Sequence, residues 1–131
     1  MSRGTLTPNK VDSMTSMIFT YKGGAQAALT TCFYSAGPVT ATVMGTEGRI
    51  EIDRSFYNQA SFSVYNKQGE EISRYDHKIA GEGRQYQAIH TEKCIAEGLI
   101  ESPIMSLDES IEIMQVMDDI RAQIGVEYPT E

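Results

Sequence analysis

The chain has no Trp, only two cysteines, two histidines and four prolines among 131 residues. Without Trp, tryptophan quenching cannot report a ligand. Cys32 and Cys94 are too few for a disulfide framework, and neither has a Cys or His at ligand spacing beside it, so zinc-type sites drop out and two buried free thiols remain. No apolar stretch approaches the roughly 20 residues of a membrane span, and Met1-Ser2-Arg3-Gly4-Thr5 lacks the apolar region of a secretory signal. The expectation is a cytoplasmic protein with no membrane partner. Basic charge is also scarce: 11 Lys+Arg stand against 18 Asp+Glu, a net −7 with both histidines neutral. Nucleic-acid partners are excluded, since binding phosphates needs a positive field. Missing too are G-x-G-x-x-G, a Walker loop, a nucleophile elbow and H-E-x-x-H.

What is present divides the chain into two regimes. Residues 12–76 are rich in Thr, Ser, Tyr, Phe and Val and are punctuated by glycines, the pattern of strands joined by tight turns. A first hairpin is predicted over residues 12–21 and 25–34 across Lys22-Gly23-Gly24. A second joins 39–44 to 49–53 across Gly45-Thr46-Glu47-Gly48, which links strand to strand and so has no helix N-terminus behind it to hold a phosphate. A third pairs 61–66 with 70–75 across Lys67-Gln68-Gly69. Ala80-Gly81-Glu82-Gly83 breaks the sheet pattern. A helix then runs to Gly98 with Ala88, Thr91, Ile95 and Leu99 on one stripe, and Gly98 with Ser102-Pro103 ends it. Ser106-Leu107-Asp108-Glu109 reads as a capping box. Behind it Ile113, Met114, Met117, Ile120 and Ile124 form an apolar helical face, closed by Gly125 at the left-handed C′ position and by Pro129. Strands first and helices last define an α+β domain: an open, largely antiparallel sheet of about six strands with helices packed on one face.

The other face of that sheet is informative. Alternate residues of 25–34 carry no charge on either side, and Met14 and Ile18 oppose Met17, Phe19 and Tyr21. A Thr-rich, semi-apolar face of this kind wants cover, so a homodimer through the sheet face is expected, with Thr30, Cys32, Thr40 and Thr42 as its contact residues.

Residues able to do chemistry are few. His77 beside Asp76 reads either as a general base poised by the carboxylate or as an exposed loop histidine. Arg84 and Tyr86, just after the glycine loop, either contact a small polar ligand or serve packing and the helix end. His90 lies off the apolar stripe, as a solvated helix residue. Glu101 is either a solvated charge or a hydrogen-bond anchor for the turn, and Met114 and Met117 are core packing rather than a binding groove.

The run Val43-Met44-Gly45-Thr46-Glu47-Gly48-Arg49-Ile50-Glu51-Ile52 resembles the C-terminal domain of the glucose-fructose oxidoreductase / inositol dehydrogenase / rhizopine catabolism (Gfo/Idh/MocA) family. The later stretches Gln85-Tyr86-Gln87-Ala88, Cys94-Ile95-Ala96-Glu97-Gly98-Leu99-Ile100-Glu101-Ser102-Pro103 and Met117-Asp118-Asp119-Ile120-Arg121 onward resemble its dihydrodiol dehydrogenase-like branch, and the match runs from about Gly4 to the end. The chain departs from the family at Gln87 and His90, where relatives often carry an acidic residue.

The resemblance implies that residues 4–131 are the C-terminal substrate and oligomerisation domain of an oxidoreductase. Its N-terminal nucleotide-binding domain is absent from this chain. The full-length enzyme would use NAD or NADP on a sugar, polyol or related carbonyl or diol substrate, with no cofactor expected on this domain alone. Catalytic residues in the family lie upstream, and Lys10, Lys22 and Lys93 lack the family's Glu-Lys-Pro context, so no residue here receives a catalytic role and the domain alone is expected to be inactive. The loop at 76–86 would lie nearest the substrate, with His77, Arg84 and Tyr86 as its substrate-proximal residues. The alternative is a free-standing dimeric module that binds a small ligand, or only dimerises, without catalysis. A purely structural assembly protein is the third reading.

Overall fold

The computed structural model describes residues 1–58, 60–77, 81 and 83–128. In chain order its elements are β1 (Ser2–Leu6), β2 (Asp12–Thr20), β3 (Gln26–Cys32), β4 (Ala41–Met44), β5 (Gly48–Ile52), β6 (Phe62–Asn66), β7 (Glu71–Tyr75), α1 (Gln85–Ala96) and α2 (Leu107–Ile124). All strand pairs are antiparallel, in a three-stranded sheet ordered β1-β2-β3 and a four-stranded sheet ordered β4-β5-β6-β7. The α+β class stands, but the single sheet of about six strands resolves into two open sheets. They belong to two compact units, Met1–Ala36 with Glu101–Glu131, and Gly37–Ile100.

In the first unit the β2–β3 turn closes through Tyr21 N–H to the Ala25 carbonyl at 3.0 Å and Gly24 N–H to the Tyr21 carbonyl at 2.9 Å, with Gly24 at φ 84°, where a side chain would be strained. Strand β2 alternates: Ser13 and Thr15 are buried, Thr15 at 2% exposure, whereas Met14 and Ile18 are 44% and 41% exposed. Helix α2 covers the face of β1 and β2 that carries Ser2, Gly4, Ser13 and Thr15. There Gln123 Oε1 accepts the Ser2 N–H at 2.7 Å, and a Cβ on Gly4 would meet Ile124 at 3.1 Å. The even-numbered face, with Ser16 and Thr30 hydroxyls 3.1 Å apart and Cys32 opposite Met14, is the exposed one.

Helix α2 begins as its sequence requires. The Ser106 side chain accepts the Glu109 N–H at 3.1 Å, Asp108 and Glu109 sit in the first turn, and Gly125 ends the helix at φ 78°. Glu101 is the turn anchor, its Oε2 accepting the Leu107 N–H at 2.8 Å. Pro129, read as a stop, lies outside the described residues.

In the second unit one sheet face carries Val43, Ile50, Ile52, Phe62, Val64 and Tyr75, and the other Thr42, Arg49, Glu51, Ser63, Tyr65 and Arg74. On that polar face Arg49 pairs with Glu51 at 2.6 Å and lies 4.2 Å over the Tyr65 ring. Arg74 forks onto Asp53 at 3.1 and 2.5 Å, and reaches Asp76 and the buried Ser63 hydroxyl, each at 3.1 Å.

Thr30 and Cys32 belong to the three-stranded sheet, whereas Thr42 stands on the charged face of the four-stranded sheet and Thr40 precedes β4. Val39 holds φ 52°, which no strand residue adopts, and its carbonyl is tied to the Ser55 N–H at 2.9 Å. In α1 the buried residue is Cys94, at 8% exposure, while Ile95 of the anticipated stripe is 71% exposed and Leu99 lies beyond the helix.

Candidate functional site

The second unit contains a cavity of about 470 Å³ where the start of β6, the end of β7, the segment after β5 and the first turn of α1 converge. Its wall is an aromatic ladder. Phe62 and Tyr75 are cross-strand partners in the β6–β7 pair, and their rings stack at 5.0 Å and 23°. His77, two residues on and so on the same side, stacks on Tyr75 at 5.5 Å and 22°. The Tyr75 hydroxyl is 3.0 Å from His77 Nδ1, and the His77 N–H donates to Ser61 Oγ at 3.0 Å, fixing both ends of the histidine. Phe56 and Tyr57 add an edge-to-face pair at 5.5 Å.

Across the cavity, Gly83 sits at φ 77° and its carbonyl accepts the Tyr86 N–H at 3.2 Å, starting α1 with Arg84 as the residue before its first turn. Arg84 makes no side-chain cap, and the first turn holds no acidic residue. Arg49, Arg74 and Arg121 are each committed to a carboxylate, whereas Arg84, like Arg3 and Arg54, enters no ion pair among the described residues. The described lining contains Arg84, His77 and three tyrosines but no Asp or Glu. The site therefore offers flat apolar surface with cationic and hydroxyl donors at its edges, suited to a small ring compound with polar substituents.

His77, Arg84 and Tyr86, separated in sequence, thus line one cavity. The poising of His77 by Asp76 is corrected: Asp76 Oδ1 receives the Arg74 Nε–H, and the ring partner of His77 is Tyr75. Arg74 holds the Asp53 carboxyl below its usual range through hydrogen bonding and then charge. Residues 78–80 and 82 of the anticipated substrate loop lie outside the described residues. Tyr75 and Phe62 were missed by sequence reasoning, though the 75/77 spacing on one strand face was a usable signal. His90, assigned to solvent, instead has Nε2 3.4 Å from Cys94 Sγ.

A second cavity, of about 520 Å³, lies in the first unit between residues 9–12 and the end of α2. Its Arg121 is occupied by Asp118 and the Tyr128 ring, and Asp12 and Glu127 add opposing charge. Every strand pair among the described residues is antiparallel and the sequence has no G-x-G-x-x-G, so the described residues do not form a Rossmann-type dinucleotide unit. Among the described residues no helix is long and apolar enough to cross a membrane.

Fold and site together define an open antiparallel α+β chain with an aromatic, cation-edged cavity. No protein-family model matches it. Among curated proteins it is similar to the trans-1,2-dihydrobenzene-1,2-diol dehydrogenases of Xenopus tropicalis, 34% identical over 132 aligned residues, and Xenopus laevis, 35% over 136. The Mus musculus protein of the same name is 29% identical over 133. Each alignment covers 98% of this chain, and the chain spans about 40% of the length of these relatives.

Proposed function

We propose that this chain is the C-terminal, substrate-binding and subunit-contact part of an NAD(P)-dependent oxidoreductase of the Gfo/Idh/MocA family, acting on a cyclic diol, sugar or related polyol. The observation that carries the reading is the convergence of His77, Arg84 and Tyr86 on one cavity with a stacked aromatic wall. The similarity to dihydrodiol dehydrogenases along nearly the whole chain supports it.

In this reading the dinucleotide sits on a separate N-terminal domain and supplies the hydride chemistry. The residues of this chain bind and orient. Phe62, Tyr75 and His77 stack one face of the substrate ring, while Arg84 and the Tyr86 hydroxyl hydrogen-bond its oxygen substituents. The exposed face of the three-stranded sheet, with Thr30 and Cys32, is the surface for a second copy. Free Cys32 and Cys94 accord with a reducing, cytoplasmic setting.

Two measurements test this. Titrating the ¹⁵N-labelled chain with trans-1,2-dihydrobenzene-1,2-diol is expected to shift the amide signals of His77, Gly83 and Tyr86. Shifts confined to other residues, or none at all, refute the cavity assignment. Sequencing the coding DNA upstream of the Met1 codon is expected to show a continuing frame with a strand-G-x-G-x-x-G-helix unit. A stop codon directly before Met1 leaves a stand-alone ligand-binding or dimerisation module and removes the dehydrogenase.

A further inference from the structure

We propose that Ser55 is a positioning residue for this cavity: its backbone, clasped to Val39, sets Phe56 and Tyr57 at the ligand. The proposal rests on the reading above that the cavity is the ligand site.

Among the described residues only Lys10, Val39 and Ser55 hold a positive φ without being glycine. Lys10, at φ 61°, donates its N–H to the Thr7 carbonyl at 2.9 Å in the turn between β1 and β2, where a left-handed residue is ordinary hairpin geometry. Val39 at φ 52° and Ser55 at φ 65° instead meet each other. The Val39 carbonyl accepts the Ser55 N–H at 2.9 Å and the Phe56 N–H at 3.5 Å. Backbone of this kind persists only where its surroundings over-determine it, and it gathers at ligand sites.

Directly after the clasp come Phe56, Tyr57 and Asn58, and all three line the cavity. The Asn58 N–H returns to the Ser55 carbonyl at 2.8 Å, so the two aromatic residues ride on a turn that begins at Ser55. Phe56 and Tyr57 are 43% and 74% exposed, so this backbone, rather than a surrounding core, decides where their rings stand. The same segment is tied to the stacked wall. The Asp53 N–H donates to the Ser61 carbonyl at 2.9 Å, and Ser61 Oγ in turn accepts the His77 N–H at 3.0 Å. One stretch of chain thus carries an aromatic pair into the cavity and is anchored both to Val39 and to the His77 end of the ladder. Rings held in place before binding spare the ligand the cost of ordering them.

The test titrates the ¹⁵N-labelled chain and its variants with trans-1,2-dihydrobenzene-1,2-diol, reading the His77, Gly83 and Tyr86 signals. Ser55→Gly keeps the N–H and adopts φ 65° freely, so its dissociation constant is expected within about twofold of the parent's. Ser55→Pro removes the N–H and fixes φ at about −65°, which opens the clasp. Its dissociation constant is expected to rise about tenfold, the size of one lost aromatic contact. The amide signals of β4 to β7 report whether each variant is folded. Where Ser55→Pro does not fold, Ser55→Val takes its place: it keeps the N–H but disfavours positive φ, and is expected to raise the constant about threefold. Binding by Ser55→Pro, or by Ser55→Val in its place, equal to the parent's overturns the positioning role and leaves the cavity reading standing. Weakening in Ser55→Gly as large as in Ser55→Pro also overturns it, because the side chain and not the backbone is then responsible. If the diol shifts none of the cavity signals in the parent, the cavity reading fails and the proposal with it.

Discussion

Replacing Gly48 by Ala tests the packing of the four-stranded sheet at its tightest point. Gly48 opens β5 opposite Asn66 of β6, and a Cβ built there falls 2.1 Å from the Tyr65 carbonyl oxygen and 3.2 Å from Asn66 Cα. Both obstacles are backbone atoms of the paired strand, so no side-chain rotation relieves them and the β5–β6 ladder must part. Overpacking costs about 1–3 kcal/mol where side chains can shift, and the rigid backbone here puts Gly48→Ala at about 3 kcal/mol or more. For a chain of this length that lowers the midpoint of thermal unfolding by about 10 °C, read by far-ultraviolet circular dichroism. Gly45, three residues earlier in the same turn, is the internal control. Its added Cβ meets only the Gly48 carbonyl at 3.6 Å, an ordinary contact, so Gly45→Ala is expected within about 0.5 kcal/mol of the parent. Equal midpoints for the two variants, or a Gly48→Ala protein as stable as the parent, refute the argument.

Ser106→Ala removes the acceptor for the Glu109 N–H and is expected to cost about 1 kcal/mol in urea unfolding; an unchanged midpoint would show the cap to be inert. The Ser35 side chain, then the Tyr34 backbone N–H, lower the Cys32 thiol below its usual value, whereas Cys94 is buried. Iodoacetamide should therefore label Cys32 first, and more slowly in Ser35→Ala; labelling of Cys94 ahead of Cys32, read by mass spectrometry, contradicts this. Because Asp53 titrates lower folded than unfolded, its pairing with Arg74 stabilises fully above about pH 4 and is lost as pH falls through the lower folded value. Asp53→Asn should flatten the acid limb of a stability–pH profile, and an unaltered limb counts against the fork. Light scattering at tens of micromolar should show a dimer that Thr30→Asp converts to a monomer, and a monomeric parent removes the sheet-face assembly.

The local devices were legible in the sequence. The Ser106 cap, the Glu101 anchor, Gly125 and the Lys22-Gly23-Gly24 turn depend on residues within six positions of one another, and each is where the sequence puts it. Strand β1 was not legible, because Ser2–Leu6 has almost no apolar residues and owes its extended form to Met17, Ser16 and Thr15 across the ladder. The division into two sheets escaped for a related reason. A β-branched residue such as Val39 predicts strand, and only distant contacts with Ser55 and Phe56 hold it at positive φ. At the site the three side chains His77, Arg84 and Tyr86 were singled out from their place after the last strand. The ladder was not, since stacking Phe62 on Tyr75 requires the β6–β7 register, which the sequence left uncertain.

The buried side of the three-stranded sheet is made of Ser2, Ser13 and Thr15, and Cys94, at 8% exposure, is the one buried apolar residue among the described residues. Heat capacity is where this composition shows. Hydrating apolar surface raises the heat capacity of unfolding and hydrating polar surface lowers it. This chain should therefore show a calorimetric step below the roughly 1.5 kcal/mol/K typical of its length. The consequence is a shallow, broad dependence of stability on temperature. Such a chain loses little stability on cooling and gains little near room temperature.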